Sequence, residues 1–96
     1  MLTVTFSNDT TTFLKGHAGL GKHAEACIAV SALAGVFAEA GEKLGGFCRL
    51  CSGCGVLDFP RTPEGLLLSD VLRRGLILLH NTYPDKIRIV RKEERK

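Results

Sequence analysis

His17 and Cys27 are the two residues of this chain whose types and spacing could do covalent chemistry. His17 stands in a glycine-rich stretch, Gly16-His17-Ala18-Gly19-Leu20-Gly21. Cys27 follows within the first turn or so of a predicted helix, in Ala26-Cys27-Ile28-Ala29-Val30-Ser31. The unpaired N–H groups and partial positive charge of a helix N-terminus favour a thiolate, and a nearby imidazole can take the thiol proton. The pair therefore describes a cysteine nucleophile with a histidine base. The competing reading makes Cys27 a small buried apolar residue and His17 an ordinary loop residue.

Two further patterns carry possible chemistry. Cys48-x-x-Cys51-x-x-Cys54 could bring three thiolates to one metal ion, as zinc knuckles and iron–sulfur loops do. A fourth ligand is absent from that segment, so His23, His80 or Cys27 would have to supply it, and a bound metal is not expected. A disulfide or redox-sensitive loop, or thiols with no function, are the alternatives. Gly16 to Lys22 also reads G-x-x-x-x-G-K, but His23 stands where a phosphate-binding loop carries Ser or Thr, which argues against a nucleotide site.

The elements that must position these residues are legible from periodicity. Leu2, Val4 and Phe6 alternate with threonines as a half-buried strand, Ser7-Asn8-Asp9 supplies a turn, and Thr10 to Lys15 forms the second arm of a hairpin ended by Gly16. From about Ala24 to Leu44, Val30, Leu33, Ala34, Phe37, Ala40 and Leu44 recur at helical steps, with Cys27 on the same stripe. Gly41, Gly45 and Gly46 are expected to end this helix. The cysteine-rich segment Phe47 to Cys54 then leads to a strand near Gly55 to Phe59. Thr62 caps a second helix with Pro63 at its first position and Glu64 in its first turn. Its apolar stripe is Leu68, Val71, Leu72, Gly75 and Leu79, widened by Leu66, Leu67, Ile77 and Leu78 enough to suggest a dimer contact. Tyr83-Pro84-Asp85 stops it, and Lys86 to Val90 is a last strand. The order β-β-α-β-β-α-β predicts an α+β fold, two helices packed on a mostly antiparallel sheet of about five strands.

Composition narrows the classes. With 96 residues the chain is read as a single domain, residues 1–96, ending in a short basic tail at 91–96. The net charge is +3, but the tail holds four bases and two acids, leaving nine bases and eight acids in the body. That balance, with one tyrosine and no tryptophan, predicts no direct nucleic-acid binding. No apolar run is long enough to span a bilayer or act as a signal peptide, so no membrane partner and a cytoplasmic location are expected.

Gly16-His17-Ala18-Gly19 followed by Cys27-Ile28-Ala29-Val30-Ser31-Ala32-Leu33 resembles the ribosomal-processing cysteine protease family, Prp, whose members carry a Gly-His-Ala-Gly motif and a Cys-Ala-Ala-Val-Ser-like helix start. The similarity extends to the order of elements over nearly the whole chain, including the leucine-rich second helix and the tyrosine-proline before the last strand. It implies a homodimeric cysteine endopeptidase that removes an N-terminal extension from a large-subunit ribosomal protein, cutting after an aromatic-containing motif, with no metal or organic cofactor. By the same resemblance His17 is the general base, Cys27 the nucleophile and Ser31 the family serine one turn along the helix. Gly16, Gly19 and Gly21 would let the loop adjust around an extended peptide. Two departures stand out: the loop between His17 and Cys27 is shorter than is usual in the family, and Ala24 replaces a family aspartate, with Glu25 its neighbour. They motivate a second reading, a catalytically weak or inactive Prp-like dimeric interaction module that holds a metal through Cys48, Cys51 and Cys54.

Overall fold

The computed structural model describes residues 1–16 and 25–92. Seven elements follow in the expected order: β1 (Leu2–Phe6), β2 (Thr11–Lys15), α1 (Glu25–Lys43), β3 (Phe47–Cys51), β4 (Cys54–Asp58), α2 (Pro63–Thr82) and β5 (Ile87–Arg91). The strands form one sheet in the order β3-β4-β2-β1-β5. β5 runs parallel to β1, and the other three pairs are antiparallel. The α+β architecture is therefore the predicted one. Strand directions add a feature that periodicity does not reveal. β2 and β3 run the same way, as do β4 and β5, so each helix is a crossover between non-adjacent strands of like direction.

Strand alternation sets the inside. Register places Ile89, Val4, Leu14, Gly55 and Leu50 in one row across the sheet, and Arg91, Phe6, Thr12, Leu57 and Cys48 in the next. Val4, Leu57 and Thr12 in these rows are fully buried, whereas Thr5, Phe13 and Val56, one residue out of phase, stay at least partly open. Both helices accordingly pack on one face, α1 over β3 and β4 and α2 over β5. Leu33 of α1 and Gly75 of α2 meet between the helices, where a Cβ on Gly75 would lie 2.9 Å from a Leu33 methyl.

Helix phase differs from expectation at several positions. Val30 and Ala34 are buried as predicted on α1, but Leu44 is exposed beyond its end and Gly41 lies inside the helix rather than ending it. On α2 the buried residues are Gly65, Ser69, Leu72 and Leu76, while Val71 of the expected stripe is exposed. The small side chains at 65 and 69 decide this phase, because they let the start of α2 approach the chain closely. Ser69 Oγ donates to the Asp9 carbonyl at 2.7 Å. Thr62 caps α2 as read from the sequence, its hydroxyl accepting from the Gly65 N–H at 3.1 Å.

Arg73 completes the docking of α2. Its guanidinium donates to the carbonyls of Asn8 and Thr11, the latter at 2.8 Å, and lies 4.8 Å from the centre of the Phe6 ring. Burial pulls its pKa down, but arginine remains cationic, so the interaction is a charge-assisted clamp on the β1–β2 turn. Asn8 Oδ1 accepts from the N–H groups of Thr10 and Thr11, both at 2.9 Å, so the turn that the arginine clamps is also closed by its own side chain.

Gly41 tests the packing of α1 on the sheet. A Cβ there would lie 2.7 Å from the Phe59 ring and 2.8 Å from Cys48 Sγ, both buried and unable to yield. Replacing glycine in a helix gains about 1 kcal/mol of propensity, whereas forcing a methyl into a filled core costs about 1–3 kcal/mol. Gly41→Ala is expected to be net destabilising, seen as a lower thermal midpoint by circular dichroism.

Candidate active site

The topology brings three chain segments to one end of the sheet. Because β2 and β3 run in the same direction, the end of β2 at Gly16 and the β3–β4 turn at Ser52-Gly53 emerge together, and α1 starts beside them. Between these segments lies an open cleft of about 340 Å³, with Leu2, Leu14 and Leu50 from the sheet below and Val30 and Ala34 from the helix. Cys27, in the first turn of α1, faces this cleft and is half-buried. Ser31, one turn further along, lines it too.

Gly16 forms one corner. Its φ is +98°, a left-handed conformation that glycine tolerates, and a Cβ would run into the Met1 carbonyl. Its N–H donates to the Gly53 carbonyl at 2.9 Å, which ties the end of β2 to the β3–β4 turn. Gly53 is itself left-handed, with φ of +80°. Of the remaining predicted site residues, His17, Gly19 and Gly21 lie outside the described residues, as do Ala24 and His23.

The three clustered cysteines do not converge. Cys51 and Cys54 form a disulfide with a Cα separation of 5.3 Å, while Cys48 is a free thiol buried on the inner face of the sheet. Burial, opposed by a backbone hydrogen bond at Asp58 and reinforced by the charges of Glu42 and Asp58, pushes the Cys48 thiol pKa up, so it stays protonated and acts as a packed apolar group against Phe59 and Gly41. His80, a suggested fourth ligand, turns Nδ1 to the Ile87 carbonyl at 2.7 Å. Among the described residues no three histidine, cysteine, aspartate or glutamate side chains come together to hold a metal ion. The candidate set Cys48, Cys51 and Cys54 is thus split by strand alternation: Cys48 points inward, and Cys51 and Cys54 close a hairpin. The phosphate-loop pattern also loses its frame, since β2 has antiparallel neighbours on both sides.

Several cleft residues were not singled out in advance. Leu2, Leu14 and Leu50 look like ordinary strand residues, and only the register shows them under Cys27. Ser52-Gly53 between two short extended runs was a readable hairpin signal.

Solved structures share this fold across the chain. A ribosomal processing protease Prp from S. aureus, in complex with a covalently linked product peptide, superposes with a TM-score of 0.82 at 23% identity, covering 96% of this chain and 100% of that one. The chain has the Prp fold. The same protease in complex with a substrate peptide gives 0.80 at 22% identity, with the same coverage of both chains. SMU.848 from Streptococcus mutans gives 0.80 at 22% identity over 98% of this chain and 96% of that one. No family model matches the sequence, and no curated protein does so either.

Within the Prp fold, Gly16 is the position where backbone geometry bears most directly on the cleft. Holding a residue with a side chain at left-handed φ costs about 1–2 kcal/mol, and the Met1 carbonyl adds a collision. Gly16→Ala should lower the thermal midpoint, whereas Gly35→Ala on α1, where a Cβ meets nothing within 4 Å, should raise it or leave it unchanged. Equal effects of the two substitutions would show that the Gly16 corner is not as tight as described.

Proposed function

We propose that this chain is a cysteine endopeptidase that removes an N-terminal extension from a large-subunit ribosomal protein. One observation carries the reading: Cys27 stands in the first turn of α1 and faces an open cleft, in a chain with the fold of a ribosomal processing protease. Peptides are bound in the S. aureus Prp structures, and a peptide in extended form suits an open cleft with an apolar floor.

The chemistry follows from the roles. His17 takes the Cys27 thiol proton as the sulfur attacks the scissile carbonyl, and returns it to the departing amine. The thioester that results is hydrolysed by water, activated by the same imidazole, which regenerates the thiol. Free N–H groups of the first turn of α1, that of Cys27 among them, are the donors for the oxyanion. Ser31 and the glycines Gly16, Gly19 and Gly21 shape the substrate channel rather than take part in bond making. The cycle requires no metal or organic cofactor.

A second copy of the chain is the partner we assign to the outer side of α2. Leu67 and Leu78 are 62% and 65% exposed there, with Val71 between them, more apolar surface than a solvent face needs. None of the described helices is long and apolar enough to cross a membrane, in keeping with the cytoplasmic site of ribosome assembly. The alternative of a weak or inactive interaction module keeps the dimer but loses its metal, because Cys51 and Cys54 are joined in a disulfide and Cys48 is buried apart from them.

A synthetic peptide spanning the extension and the mature start of the ribosomal protein from the same genome tests the reading. Wild-type protein should cut it once, Cys27→Ala should leave it intact with unchanged circular dichroism, and His17→Ala should slow cleavage by about 10²–10⁴-fold. Intact peptide with wild-type protein would favour the inactive module. Light scattering at micromolar concentration should give about twice the 10.4 kDa chain mass, falling to the chain mass on Leu67→Lys with Leu78→Lys. A wild-type monomer would refute the dimer.

A further inference from the structure

Cys51 and Cys54 take no part in the proposed catalysis, yet they occupy a mechanically sensitive position. They are the last register partners of the β3–β4 hairpin and are both exposed. They and the two residues between them, Ser52 and Gly53, line the same cleft as Cys27. The Gly53 carbonyl also accepts the Gly16 N–H, at the point where the chain passes from β2 toward His17. One solvent-accessible covalent bond thus pins a turn that is both a wall of the cleft and the anchor for the end of β2.

We propose that Cys51 and Cys54 are a reversible redox pair that sets the shape of the Cys27 cleft. In the disulfide form the turn is clamped against Gly16 and the cleft has the walls described. In the dithiol form the turn is released, the Gly53–Gly16 hydrogen bond is no longer enforced, and that wall opens. Exposed disulfides are the readily reduced ones, and disulfides in reducing compartments are mostly transient or sensory. Alternation along β3 and β4 puts the two side chains on the face opposite Leu50 and Gly55, which belong to the inner row. Cys51 and Cys54 also line the cleft that Cys27 faces, and the switch acts through the backbone position of the turn that their disulfide pins. Cys48, buried on the inner face, does not compete for either partner.

The redox step balances with a dithiol reductant. Its thiolate attacks one sulfur of the pair and displaces the other as a thiolate. Its second thiol then resolves the mixed disulfide. Two electrons and two protons pass to Cys51 and Cys54, and the reductant leaves as a disulfide. A disulfide oxidant reverses the sequence.

The proposal rests on the functional reading only in taking Cys27 as the thiol of interest, and its readout does not require proteolysis. The full chain would be oxidised with glutathione disulfide, or reduced with dithiothreitol and desalted without oxygen. The rate of Cys27 alkylation by iodoacetamide would then be followed by peptide mass mapping. Cys27 is expected to react at least about threefold faster in the reduced protein, since its protection follows the opening equilibrium of the wall. Cys51→Ser with Cys54→Ser should show the fast rate under both treatments. Equal Cys27 rates in the two wild-type states, no Cys51–Cys54 disulfide after oxidation, or a redox response that persists in the double variant would each overturn the proposal. If that variant fails to fold, the two wild-type states decide alone. Peptide cleavage measured in parallel separates the two readings. A redox-dependent Cys27 rate without cleavage in either state sinks the peptidase and keeps the switch. Cleavage with a redox-independent Cys27 rate does the reverse.

Discussion

Val4 is fully buried in a row that runs from Ile89 through Leu14 to Gly55 and Leu50, and this row governs the placement of everything else. Burying each large aliphatic side chain is worth about 1.5–3 kcal/mol, so the face that carries Val4, Leu14, Leu57 and Ile87 must be covered. The opposite face, where Thr3, Thr5, Lys15 and Arg49 stand beside the exposed Phe13 and Phe47, carries no helix. Two helices on one side satisfy that demand. Because each links strands of like direction, α1 must begin at the end of the sheet where β2 and β3 leave it. The cleft at Cys27 is a product of that connection.

The two ends of the sheet are built differently. At one end the β1–β2 turn is held by Asn8, Ser69 and Arg73, a polar network in which side chains bind backbone carbonyls and amides. At the other, Gly16 and Gly53 meet through backbone alone, in left-handed conformations that leave no side chain between strand and turn. Side-chain clamping suits a structural end. Bare backbone at the second end leaves the space above Leu2 and Leu14 open as the cleft that Cys27 faces.

The cysteines divide by the same alternation that builds the core. Cys48 lies inward and is packed as an apolar residue, Cys51 and Cys54 cross-link the exposed hairpin end beside the cleft, and Cys27 stands half-open on a helix start facing it. Four residues of one type thus have three different environments, set by whether each side chain points to core, solvent or cleft.

The order of elements, the α+β class, the alternation of β1 and the Thr62 cap of α2 were all legible in the sequence, because each depends on near neighbours in the chain. The position of Cys27 at a helix start was legible too, since it follows a glycine-rich stretch and shares the apolar stripe of that helix. Tertiary structure decided the rest. Val71 and Leu44 fit helical stripes as well as their neighbours do, but the close approach allowed by Gly65 and Ser69 rotates α2 so that Leu76 is covered and Val71 is not. Gly41 reads as a helix end and is instead a space kept for Phe59 and Cys48. The three-cysteine run suggests a shared ligand, whereas the strand pleat sends its members to opposite faces. Periodicity states which residues share a face; only packing against distant segments states which face is buried and what that face encloses.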